Sequence, residues 1–310
     1  MGGGSGDVTP DSPVLDSPGL LSRMERSHTK TRFRGERRVE LHFVEEGRDE
    51  TFEYREEIGC DGDGRYAIHM LEVLEGPDDT DLFMMLHDNR QSFTFNFRDF
   101  RVTDRQLLRQ NYSIAHLSDS ETVAGVPCLL LRVERLSNPL GTYFRVWIEP
   151  DSGLVLRWEH RDRNAVLLGE MVFESVDFTP DLSNFILRRG NFDGRSIDID
   201  GNIAAQVGFE VLTPEMLPAG FRLESGRVVT DSMGANWFRR IYTDGVSRMA
   251  ILHRKPESDI DNSHGGHLGT VQSMQVGQWN VVTGRLAGWS LIVMGQLDPD
   301  ELYQTIQSAF

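Results

Sequence analysis

The sequence predicts a mainly β, α+β protein: a large curved antiparallel sheet or half-barrel with a few helices, then a smaller antiparallel sheet with a C-terminal helix. Three observations predict it. Between Thr31 and Phe178 apolar side chains recur with a period of two, and polar breaks divide the stretch into about eight to eleven strands with almost no helix between them. Residues 188–206, RRGNFDGRSIDIDGNIAAQ, are rich in Gly and Asp and poor in large apolar groups, which reads as a linker. Beyond it a second set of alternating segments begins, and it finishes on a helical pattern.

Taken in order, residues 1–18 are rich in Gly, Ser, Pro and Asp and read as a disordered tail. The opening MGGGSG reads as an added leader in place of a removed targeting segment, since no apolar signal-peptide core is visible. A first domain is expected over 19–187. It opens on a short helix in which Leu20, Leu21 and Met24 keep helical spacing. Strands are expected at 31–46, 50–58, 65–75, 81–87, 91–98, 107–116 and 122–135. A meander follows from Gly141 to Phe178, with turns at Glu149-Pro150-Asp151-Ser152-Gly153 and at Arg161-Asp162-Arg163-Asn164. Asp181-Leu182-Ser183-Asn184-Phe185 can form one helical turn. The second domain is expected over 207–310, with strands at 221–230, 236–243, 247–254, 269–276, 278–286 and 288–296. Its closing helix has Asp298 as cap, Pro299 at the first position, and Leu302, Ile306 and Ala309 on one face.

A net charge of -16 argues against a nucleic-acid partner, because binding phosphates needs a basic surface. The small basic cluster Arg32, Arg34, Arg37 and Arg38 reads as a solvated strand face. No apolar run approaches the roughly 18 residues needed to span a bilayer. Cys60 and Cys128 are compatible with one disulfide without requiring it. Catalytic signatures are missing: there is no Gly-x-Ser-x-Gly elbow, P-loop, His-Glu-x-x-His, Cys-x-x-Cys or dinucleotide fingerprint. The expectation is a protein that is not an enzyme and carries no cofactor. His264 and His267, with Asp259 and Asp261 nearby, lack the helix or cysteines that would fix a metal, so no metal is expected. Adjacent acids such as Glu56 and Glu57 point to opposite faces of a strand and cannot act as a pair.

One surface invites a ligand. Phe93, Phe95 and Phe97 share a strand face, and the preceding strand carries Phe83 and Met85. With Trp147 and Trp158 of the meander they form the candidate apolar pocket, since stacked aromatics and flexible methionines suit a variable greasy ligand. Packing against the protein's own helix is the competing reading of the same residues.

The string FRVWIEPDSGLVLRWEHRD, then MVFESVDF, resembles the hairpin of LolA/LolB-type lipoprotein-binding folds, and most closely that of the RseB/MucB family. VAGVPCLLLRVER stands where that family has a strand just before the hairpin. Downstream, PEMLPAGF and RIYTDG resemble the entry and the Asp-Gly hairpin of the family's C-terminal domain. The resemblance implies a non-enzymatic periplasmic regulator that binds the periplasmic domain of an anti-sigma factor (RseA/MucA-like) and shields it from proteolysis. It also implies sensing of lipid, lipopolysaccharide or lipoprotein acyl chains during envelope stress. The alternative is a periplasmic lipid or lipoprotein carrier of the LolA/LolB type, though simple carriers lack a second domain. Self-association is left open.

Overall fold

The computed structural model describes residues 18–45, 48–76, 98–137, 141–189, 195–230, 234–254, 272–276, 279–286 and 289–308. The chain divides into two compact units, one of Met1–His42 with Thr51–Gly190, the other of Asn191–Phe310 with Phe43–Glu50. The strands expected at 81–87 and 91–98 fall almost wholly outside the described residues, as does the loop bearing His264 and His267.

The first unit is an open antiparallel sheet, with one helix against its inward face and a short second helix beside the first. Helix α1 (Pro18–Lys30) buries Leu20, Leu21, Met24 and Ser27, a stripe at positions i, i+1, i+4 and i+7. The strands are β1 (Arg32–Glu45), β2 (Arg48–Asp61), β3 (Arg65–Glu75), β4 (Tyr112–Val123), β5 (Val126–Arg135), β6 (Tyr143–Ile148), β7 (Val155–Arg161), β8 (Leu167–Asp177) and β9 (Arg188–Arg189). Their order across the sheet is β4-β5-β6-β7-β8-β1-β2-β3-β9, with β4 at one edge and β9 at the other. The meander is present as read, β6 to β7 to β8, with Val146 opposite Trp158 and Trp158 opposite Met171.

Alternation sorts the two faces. Phe33, Tyr54, Ile58, Leu156, Trp158, Met171 and Phe173 are buried on the inward face. The outward face carries a ladder of ion pairs across neighbouring strands: Arg34–Glu57 at 2.7 Å, Arg38–Glu53 at 2.6 Å, Arg157–Glu170 at 2.6 Å and Arg145–Glu159 at 3.5 Å. Opposite charges facing each other across strands are what allow so acidic a chain to build long polar strand faces.

Two expectations are corrected here. Residues 107–116 are not one strand: Arg105–Asn111 is helix α2, and β4 begins only at Tyr112. Asp104 starts the helix by accepting from the amides of Gln106 and Leu107, and Leu107 and Leu108 anchor it in the core. The second correction is Arg37, which is 2% exposed and not part of a solvated face. It shares the inward phase of β1 with Phe33, Gly35 and Val39, whereas Arg34 and Arg38 point outward to their glutamates.

The second unit is a seven-stranded sheet of β10 (Arg195–Ile197), β11 (Arg222–Thr230), β12 (Asn236–Thr243), β13 (Arg248–Arg254), β14 (Gln272–Val276), β15 (Trp279–Leu286) and β16 (Trp289–Gly295), in the order β10-β11-β12-β13-β16-β15-β14. Helix α4 (Pro299–Gln307) has Asp298 as its cap, and its Leu302 and Ile306 join Tyr242, Met249, Ile251 and Val293 in the core. The Asp244-Gly245 signal does turn β12 into β13: Gly245 has φ +107°, and the Asp244 carboxylate accepts from Val246 and Ser247. The 188–206 stretch carries β9, β10 and the start of a short helix α3 (Ile203–Val207) capped by Asn202.

Candidate functional site

The turn between β6 and β7 seats α1 on the sheet. The Glu149 carboxylate accepts from the amides of Asp151 and Ser152, and Gly153 follows at φ +73°. A Cβ on Gly153 would lie 2.4 Å from the amide nitrogen of Met24, so only glycine admits the helix here. Arg23 Nε then donates to the carbonyl of Pro150 at 2.8 Å. From the other side Glu25 of α1 accepts from the Arg105 amide at 3.2 Å, which ties α1 to α2.

Beneath α1 lies a small cleft of about 40 Å³, part of it open to solvent. Met24, Ser27 and His28 of the helix roof it, while Phe33, Ile58, Met171 and Phe173 of the sheet floor it. The third wall is the segment leading into α2, with Asp99, Phe100, Arg101 and Val102. Most of this lining is apolar, and the two methionines make it adaptable.

Charge enters through Arg37, which belongs to both the cleft and a buried ion quartet. Its Nε donates to Glu56 at 2.6 Å and its Nη1 pairs with Asp99 at 2.9 Å. Arg98 meets the same Glu56 through both terminal nitrogens, at 2.7 and 3.0 Å, and also bonds Asp99 at 2.8 Å and the Tyr54 hydroxyl at 2.5 Å. All four charged groups are at most 7% exposed. Burial would raise the Glu56 carboxyl, but Arg98 and Arg37 outweigh it and hold it at about 2. Burial would also lower the Arg98 guanidinium, yet Asp99 and Glu56 hold it well above its ordinary value. Burial pushes the Tyr54 hydroxyl up. Two cations and two anions cancel, which is the condition for keeping such groups in a core. One donor is left over: Arg37 Nη2 is buried with no hydrogen-bond partner among the described residues.

The residues nominated from sequence are distributed differently. Phe83, Met85, Phe93, Phe95 and Phe97 lie outside the described residues. Trp158 is fully buried on the inward face, while Trp147 lies on the outward face with Arg145 and Arg157 at 5.1 and 4.4 Å from its ring. Neither tryptophan lines the cleft. Sequence reasoning missed Arg98 and Asp99, and it placed Arg37 on a solvated face and Glu56 in a strand without linking the two. The available signal was phase: Arg37 and Glu56 each interrupt an inward apolar series, Phe33-x-Gly35-x-Arg37-x-Val39 and Phe52-x-Tyr54-x-Glu56-x-Ile58. Cys60 and Cys128 are free, buried thiols. Among the described residues no three His, Cys, Asp or Glu side chains are grouped to hold a metal, and no helix is long and apolar enough to cross a membrane.

A family model described as the MucB/RseB N-terminal domain matches residues 20–190. No curated protein matches the sequence. Among solved structures, the chain is similar to the complex of Pseudomonas aeruginosa MucA and MucB, at 17% identity and TM-score 0.56, covering 96% of this chain and 98% of that one. It is similar to MucB in complex with MucA(peri), again at 17% identity and TM-score 0.56, with 93% and 96% covered. For MucB alone the TM-score is 0.52 at 17% identity, with 95% and 97% covered. At this identity the likeness is one of fold, and it runs through both units.

Proposed function

Since this chain belongs to the MucB/RseB family, we propose that it is a regulatory binding protein of the periplasm that holds the periplasmic segment of a membrane-spanning anti-sigma factor. The observation that carries this reading is the family match over residues 20–190, to which the fold likeness adds the second unit. Solved relatives are complexes of MucB with MucA, and a partner of the same kind is the reading's central claim for this chain. Holding that segment would shield it from the protease that starts envelope-stress signalling. A lipidic ligand in the first unit would favour one state of the protein over the other and so release the partner, because a ligand shifts an equilibrium only through unequal affinity for its states. The apolar side chains beneath α1, two adaptable methionines among them, are what supports a lipidic ligand.

The test is a protection assay with the full chain and the periplasmic segment of a MucA-type anti-sigma factor. Sedimentation should show a complex, and the bound segment should survive a protease dose that cleaves it when free. Absence of any complex at tens of micromolar protein would overturn the reading. A complex that leaves cleavage unchanged would remove the shielding and keep the binding.

A further inference from the structure

We propose that residues 209–213 form an acid-released strap over the sheet of the second unit, shut while the His253 ring is neutral and let go when that ring takes up a proton. The strap lies wholly within the second unit, and its release draws on no part of the partner binding proposed for the chain.

Pleating puts Phe238 and Arg240 of β12, Ile251 and His253 of β13, and Leu291 of β16 on one face, with His253 opposite both Phe238 and Leu291. Residues 209–213 form neither helix nor strand and are fastened to that face at two points. Phe209 meets the His253 ring at 5.9 Å and Trp289 at 6.0 Å. Arg240 donates to the Leu212 carbonyl and, at 3.2 Å, to the Thr213 hydroxyl. Leu212 adds a half-buried contact with the core, and the preceding helix α3 buries no residue, so this stretch can lift without dismantling the sheet.

His253 is 0% exposed, and neither of its ring nitrogens has a hydrogen-bond partner among the described residues. Phe209, Phe238 and Trp289 enclose it, and the charged group acting on it is Arg240, which is buried as well. Arg240 has no carboxylate partner among the described residues: its hydrogen bonds run to the two strap oxygens, and its Nε makes none. Tyr242, its titratable neighbour, is kept protonated by burial. Arg239 and Arg254 fall on the opposite face of their strands, and α4 presents Leu302 and Ile306 to the sheet. Protonating His253 in place would therefore set a second uncompensated cation beside Arg240 in a dry pocket. Lifting the strap admits water to both groups. A solvated ring titrates near 6.5, whereas burial, helped by Arg240, holds the enclosed ring at about 3. Closure is complete above pH 6.5, and below it each pH unit multiplies the lifted population by about ten.

The experiment is native-state proteolysis of the full chain by thermolysin from pH 7 to pH 5, with the cuts located by mass spectrometry. Rates are divided by those for a free peptide of residues 203–218 at the same pH, which removes the protease's own pH dependence. When reclosing outpaces cleavage, the corrected rate follows the lifted population. Cuts before Phe209, Val211 or Leu212 should rise about 25-fold from pH 7 to pH 5 and stay level in His253→Leu, which has no proton to take. Melting at pH 7 checks that the variant folds, and if it does not, the size and location of the rise in the native chain decide. A rise below about fivefold in the native chain would overturn the strap, as would an undiminished rise in folded His253→Leu. Cuts spread at equal rates through β11 to β16 would overturn it too, because acid would then be unfolding the whole unit and not lifting one segment.

Discussion

Two buried histidines set how the protein responds to acid. His160 stacks on Phe144 at 4.5 Å in the first unit, and burial lowers it to about 4. His253 is enclosed by Phe209, Phe238 and Trp289 at 5.9, 5.4 and 6.0 Å, and burial, helped by Arg240, lowers it to about 3. Neither ring nitrogen of His253 has a hydrogen-bond partner among the described residues. An unfolded histidine titrates near 6.5, so below that pH the unfolded chain takes up protons that the folded chain refuses. Their contribution to stability is complete above pH 6.5 and falls as the pH drops towards 4, by about 1.4 kcal/mol per pH unit for each residue. Glu56, already ionised above about 2, contributes no slope above pH 4.5. Urea denaturation should therefore show stability falling between pH 7 and pH 5, with the fall roughly halved in His253→Leu; equal slopes for variant and parent would mean that His253 is not held neutral. Histidines of this kind are not legible in sequence, because their alternating neighbours place them on a face without saying that the face is closed. Arg37 and Glu56 were legible in principle, since each breaks an apolar series, but reading Arg37 with Arg32, Arg34 and Arg38 as one cluster ignored that alternate residues face opposite ways.

Among the elements, α1 depends on a turn that was plain in the sequence. Glu149-Pro150-Asp151-Ser152-Gly153 announces a turn by its chemistry, but not that Gly153 would meet the backbone of Met24. Gly125 supplies the comparison: it has φ +75°, close to the +73° of Gly153, with nothing within 4 Å of where a Cβ would be. Gly125→Ala should cost only the strain of a left-handed alanine, about 1 kcal/mol. Gly153→Ala should cost that plus the displacement of α1, about 3 kcal/mol or more, and should raise hydrogen exchange selectively in Leu20–Ser27. Equal costs would show that the helix yields freely. The strands were legible because period-two patterning lasts over many residues, whereas α2 was not. Its seven residues make two turns, too few for a 3.6 period to separate from alternation, and tertiary burial of Leu107 and Leu108 decides the matter.

At the scale of the whole molecule, the net charge of -16 shapes how a partner arrives more than how tightly it stays. Many of the acids on the outward face of the first unit are committed to arginines, as with Glu53, Glu57, Glu159 and Glu170, so the excess negative charge is carried by other acids of the chain. Such a field attracts a basic segment from a distance and is screened within about 8–10 Å at ordinary salt. The anti-sigma segment proposed as partner should therefore associate more slowly as salt rises, by about tenfold or more between roughly 50 and 500 mM NaCl, with little change in its dissociation rate. Stopped-flow or surface-capture kinetics at several salt concentrations separate the two rates. A dissociation rate that rises steeply with salt would mean that ion pairs hold the complex together. An association rate independent of salt would mean that the partner segment is not basic, and that burial of apolar surface has to account for recognition from the first encounter.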